Sequence, residues 1–115
     1  MQVTNKDLEA ELGYVTNPAE QQHIRSLWDK SDPLMQDISV SLIKGDNNRV
    51  DQLTKEALEA GFSANTILDD GLIAGMAIVG VKFRDNLIFV PEVLVAARAM
   101  KAGMAHVDPI LSASG

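Results

Sequence analysis

The chain of 115 residues has no cysteine, which excludes disulfides, thiolate metal ligands and a cysteine nucleophile and fits a reducing, cytoplasmic setting. Positive charge is also short. Ten lysines and arginines face sixteen aspartates and glutamates, a net charge of −6, and so acidic a surface repels nucleic acid and anionic membrane alike. Long apolar runs are missing too: the longest, near residues 71–81, is bounded by Asp70 and Lys82. Residues 1–6 have neither a basic start nor an apolar stretch, so no membrane span or export signal is visible. Strand patterns are nearly absent, and there is no internal repeat or low-complexity segment.

What is present is apolar content, 46% of residues, enough for one domain with a real core. The charge is uneven: residues 1–62 carry 11 acids and 6 bases, residues 63–115 carry 5 and 4. The nearly neutral second half is therefore the better place for an interface. Helix punctuation recurs at regular intervals and predicts an all-α four-helix bundle with an N-terminal helical extension. Asp32-Pro33 opens the first bundle helix, about 33–44, with Leu34, Ile38 and Leu42 on one face and Gly45 as its stop. Asp46 caps a second, about 47–60, carrying Val50, Leu53, Ala57 and Leu58 and ending at Gly61. Ser63 opens a third, with a stripe of Leu68, Leu72, Met76, Val79 and Phe83 and enough further apolar residues to be buried on most sides. Pro91 starts a fourth, with Val93, Leu94, Ala97, Met100 and Met104, which Asp108-Pro109 is expected to end. The expected division is an extension over 1–31, in which Leu8 and Leu12, then Ile24, Leu27 and Trp28, suggest short helices; the bundle over 32–109; and a linker over 110–115.

Two features of the second half call for explanation. Gly71, Gly75 and Gly80 lie inside the third helix, where each costs about 1 kcal/mol relative to alanine. Close approach of a neighbouring helix, or room for a ligand, would compensate. The turn after that helix holds large apolar residues, among them Leu87, Ile88 and Phe89, where composition alone favours polar ones. Either Phe83 and Phe89 close the core, or they form a docking surface.

Other residues carry little chemistry. His106 and His23 read as structural or surface histidines. Asp69-Asp70 cannot chelate together, since adjacent helical side chains diverge by about 100°. Met76, Met100 and Met104 are at core spacing, and Arg98 and Lys101 are surface charges or contacts to another domain. No nucleophile–base pair, metal cluster or phosphate loop can be assembled, so the chain is not expected to be an enzyme in its own right.

The glycine-rich run 71–83 ending in Phe83, the short loop, Phe89-Val-Pro-Glu and Ala-Ala-Arg-Ala-Met-Lys101 occur together in order. This combination closely resembles the helical domain of corrinoid (vitamin B12) proteins, such as the small corrinoid subunits of methanol and methylamine methyltransferase systems and the cobalamin module of methionine synthase. The resemblance covers about residues 34–112 and is dense over 67–109. It implies a cap over the upper, methyl-bearing face of cobalamin, with contacts from the aromatic ending the third helix, the residue before the loop proline and the residue two after it. Those are Phe83, Val90 and Val93, with Leu94 beside them. No catalytic and no metal-ligating residue is implied here. The family's cobalamin site proper is a following α/β domain with Asp-x-His-x-x-Gly, which this sequence lacks, so the cofactor is expected to be held mainly by that domain. A light-sensing branch carries Trp-x9-Glu-His instead; Phe83 and Val93-Leu94 at those positions disfavour it. The expected partners are methyltransferase subunits and the α/β domain, with no nucleic acid and no membrane, and with room for a homodimer. The competing expectation is a stand-alone interaction or oligomerisation module without cofactor.

Overall fold

Four short side chains start the helices. In the computed structural model, which describes residues 10–13, 15–29 and 32–114, Asn17 Oδ1 accepts from the backbone N–H of Ala19 and Glu20 at 3.0 and 3.2 Å. Asp32 accepts from Leu34 N–H at 3.0 Å, Asp46 from Arg49 N–H at 3.1 Å and Ser63 from Thr66 N–H at 3.1 Å. Each satisfies a helix-start donor that has no partner within its own helix. The helices they open are α1, Pro18–Asp29; α2, Pro33–Ile43; α3, Asn47–Glu59; and α4, spanning 64–84. A last helix, α5, runs Val90–Ser114. Among the described residues there is no strand. Leu8 lies outside the described residues, as does the side chain of Leu27.

Three ends share one chemistry. Gly45 (φ 73°), Gly61 (φ 98°) and Asn86 (φ 63°) take the left-handed conformation just past α2, α3 and α4. The next residue's N–H then reaches back to a carbonyl of the last turn: Asp46 to Ser41 at 2.9 Å, Phe62 to Ala57 at 3.0 Å and Leu87 to Lys82 at 2.8 Å. These short reversals fold α2–α5 into a four-helix bundle. Its core holds Met35, Ile38 and Leu42 of α2, Val50, Leu53 and Ala57 of α3, Leu72 and Val79 of α4, and Ala96, Ala99 and Val107 of α5. A second apolar cluster joins Leu12, Val15, Ile24 and Trp28, in and before α1, to Val40 of α2 and Ala74, Ile78 and Val81 of α4.

Helix α4 is not uniform: between Ala64–Thr66 and Ala74–Arg84 it widens into a π-helical stretch, Ile67–Ile73. Ser39 Oγ of α2 donates to the Gly71 carbonyl at 2.6 Å, with the Asp70 carbonyl at 3.3 Å. The two buried glycines explain how α2 comes so near. A Cβ on Gly71 would stand 3.1 Å from Ile38 Cγ2, and one on Gly75 3.0 Å from the Ser39 carbonyl oxygen. Close helix approach is thus their reason. It is not the reason for Gly80, where a Cβ would meet nothing within 4 Å.

Two expectations about α5 are corrected. The helix does not end at Asp108-Pro109 but continues to Ser114 with Pro109 inside it. Proline removes one intrahelical bond, but Ala105, which loses the partner for its carbonyl, is exposed to water, and Leu111 beyond packs on the core. The inward face is also rotated from the predicted one. Leu94 and Ala97 are exposed, while Ala96, Ala99, Gly103 and Val107 are buried. The small residues let α5 sit close to α3 and α4: a Cβ on Gly103 would lie 2.8 Å from Leu72 Cδ2 and 3.1 Å from Val50 Cγ1.

Candidate functional site

The end of the bundle where α4 turns into α5 is closed by backbone hydrogen bonds on both sides of the loop. Asp85 N–H donates to the Val81 carbonyl at 2.9 Å and Asn86 N–H to that of Phe83 at 3.1 Å, closing α4. On the other side of the loop, Glu92 Oε1 accepts from Phe89 N–H at 3.1 Å and the Phe89 carbonyl accepts from Val93 N–H at 3.2 Å. The Glu92 side chain, reaching back to the helix start, thus supplies half of a capping box to the first turn of α5. Between them Ile88 turns inward and packs on the core.

A loop so closed, with one inward anchor, leaves its other large side chains outside. Phe83 is 45% exposed, Val90 55%, Leu94 63% and Phe89 67%, against 0% for Leu72. Leu87 is exposed as well. Phe83 therefore leaves the apolar stripe predicted for its helix, and neither it nor Phe89 closes the core. Val90, Val93 and Leu94 are spaced to share one side of α5, but they are not equivalent. Val93 is half-buried and packed against the core, whereas Val90 and Leu94 face out. Of the four residues singled out from sequence, Phe83, Val90 and Leu94 are thus exposed at this end, and Val93 packs on the core. Leu87 and Phe89 are outside the cofactor contacts that the resemblance implies; the apolar turn, which offered Phe89 as part of a docking surface, is their signal in the sequence. Gly80, one helical turn before Phe83, leaves the helix surface beside it bare.

Beneath the tip a cavity of about 240 Å³ is lined by Ile43 and Gly45 from the end of α2, Val79 and Lys82 from α4, and Ile88, Glu92 and Val95. Ion pairs flank the end of α4. Lys82 pairs with Glu11 at 2.7 Å, and Arg84 forms a fork on Glu20 at 2.6 and 2.8 Å while also contacting Asp85 at 3.0 and 3.2 Å. The Arg84 hydrogen bonds hold the Glu20 and Asp85 carboxyls below the usual range, and Glu20 first, then Asp85, raises Arg84 in turn.

Among the described residues no group of three histidines, cysteines or acids comes together. His106 bonds Asp51 at 2.7 Å and ties α5 to α3, and His23 is an exposed residue of α1. Asp69 is exposed and Asp70 partly buried; burial first, and the charge of Asp69 second, raise the Asp70 carboxyl. What an aromatic and aliphatic tip can do is cover another apolar surface and keep water from it.

Comparison with known proteins gives this tip a context. A family profile described as B12 binding domain matches residues 34–108. A corrinoid protein of Desulfitobacterium hafniense is 28% identical over 82 residues, covering 71% of this chain and 38% of the relative. Monomethylamine corrinoid protein 1 of Methanosarcina acetivorans is 43% identical over 60 residues, 52% of this chain and 28% of the relative. The structure of the Methanosarcina barkeri monomethylamine corrinoid protein superposes with a TM-score of 0.62 at 35% identity, over 64% of this chain and 35% of that one. The chain thus spans between 28% and 38% of the length of these relatives. No helix among the described residues is long and apolar enough to cross a membrane.

Proposed function

The chain belongs to the B12 binding domain family, and from that membership we propose that it is the helical cap of a corrinoid methyl-carrier protein, covering the upper face of cobalamin while a methyl group passes between methyltransferase subunits. The observation that carries this reading is the exposure of Phe83 at the end of α4 and of Val90 and Leu94 at the start of α5, where an isolated domain gains nothing from exposing them.

The residues fit an upper face and not a coordination site. They bring dry carbon surface and no nitrogen, sulfur or carboxylate to compete for the metal. When bound, the corrinoid supplies a cobalt centre that accepts and releases methyl groups. Phe83, Val90 and Leu94 would cover its upper face and keep water from it, and Val93 holds the first turn of α5 against the core. The bare helix surface at Gly80 allows a flat ring to approach α4 closely. In this reading an α/β domain holds the cofactor from below and α5 leads toward it; the chain itself carries no complete active site.

The test uses a carrier that joins this bundle to a cobalamin-binding α/β domain and is loaded with methylcobalamin. Replacing the exposed Phe83 (Phe83→Ala) should leave the helical signal unchanged yet speed photolysis and oxidation of the bound cofactor. Equal rates in the two proteins would refute the cap role of Phe83.

A further inference from the structure

Leu12, Val15, Ile24 and Trp28, which lie outside the matched span of 34–108, pack on the last turns of α4, the stretch that carries Phe83. Ala74, Ile78 and Val81 make the face of α4 that meets Leu12, Val15, Ile24 and Trp28. At about 100° per residue, Lys82 and Arg84 fall on the two flanks of that face, and Phe83 lies roughly 180° around the helix from its middle. Both flanking cations are taken by acids of the N-terminal segment. Lys82 meets Glu11 at 2.7 Å with both side chains 14% exposed, and Arg84 meets Glu20 through two bonds of 2.6 and 2.8 Å. An isolated surface ion pair holds little, but a bidentate fork, a half-dry pair and an apolar seam acting on one helical turn hold its rotation from both sides.

We infer that the N-terminal segment is a two-point mount that sets the rotation of the last turns of α4 and so aims Phe83, with Glu11 and Glu20 as positioning residues. The consequence for the cofactor rests on the cap reading above; the aiming itself does not, and the experiment reads Phe83 directly.

Fluorinated phenylalanine is incorporated in the full chain and the resonances of Phe62, Phe83 and Phe89 are assigned by single Phe→Leu replacements. Releasing both mounts with Glu11→Gln and Glu20→Gln should move the Phe83 resonance toward that of the free amino acid. Phe62, half-buried against the core, and the emission of the buried Trp28 should stay where they were, because the apolar seam remains. Restoring the charge at the second mount with Glu20→Asp should return part of the shift. If the Phe83 resonance is unmoved in the double variant, or moves only together with that of Phe62, the mount does not aim the aromatic. That result would leave the photolysis test of Phe83→Ala intact, just as failure of the latter would leave this one intact.

Discussion

Adding a single methyl group at two glycines of the same helix should have opposite effects. At Gly80 the new Cβ meets nothing within 4 Å, so only the loss of backbone freedom in the unfolded chain counts, and Gly80→Ala should stabilise the fold by about 1 kcal/mol. At Gly75 the same gain is opposed by contact. The Cβ would lie 3.0 Å from the Ser39 carbonyl oxygen, 3.2 Å from Ser39 Cα and 3.3 Å from Leu42 Cδ2. Two of those atoms are backbone of α2 and cannot rotate away, so α2 must shift, loosening the Ser39–Gly71 bond as well. Overpacking of this kind costs about 2–3 kcal/mol, leaving Gly75→Ala destabilised by about 1–2 kcal/mol. For a domain of this size each kcal/mol moves the melting point by roughly 4–8 °C, so the two variants should melt on opposite sides of the parent, about 10 °C or more apart. Thermal unfolding followed by helical circular dichroism, checked by urea titration, measures it. If Gly75→Ala proves as stabilising as Gly80→Ala, α2 and α4 do not touch as closely as the backbone distances require.

Ser39→Ala removes the hydroxyl that reaches the Gly71 carbonyl and should cost about 0.5–1.5 kcal/mol in the same urea titration, the net worth of one hydrogen bond, since that carbonyl keeps the Ala74 N–H. Asp70 has its folded-state pKa raised, chiefly by burial, so ionising it costs stability as pH rises from its unfolded value through the folded one; Asp70→Asn should therefore raise the melting point at pH 7 and lose that advantage below about pH 4. An advantage that persists in acid would mean that charge is not the cause. Titration of the 115-residue chain with cobalamin, followed by the cofactor's visible absorption, should show weak binding or none, since its tip offers cover and no ligand; tight binding would overturn the assignment of the cofactor to another domain.

Most of the fold could be read from local signals. Asp32, Asp46 and Ser63 start helices through contacts within three residues, and Gly45 and Gly61 end them through a conformation that other residues adopt at a cost. Features set by distant contacts were not legible. Pro109 is a local stop signal overruled by packing of Leu111 beyond it, and the rotation of α5 depends on how closely Gly103 lets it approach Leu72. Asn86 reaches the left-handed region that glycine usually fills, so the end of α4 carried no glycine to mark it. Within the site, Phe83, Val90 and Leu94 were named through family resemblance and found exposed, while the half-burial of Val93 follows from the same α5 rotation. The Arg84–Glu20 fork joins residues 64 positions apart, a pairing no spacing rule anticipates.

The π-helical stretch at Ile67–Ile73 has a bearing on ancestry. A widened turn of this kind stores one residue more than the α-helix needs to connect the same two ends. It marks a place where an insertion can be absorbed without moving either half, and where a deletion, of Asp69 for instance, can be absorbed too. An alignment that ignores the surplus residue would slide every downstream position by one and set Phe83 opposite the wrong partner, exchanging an outward aromatic for one of the charged residues on either side of it.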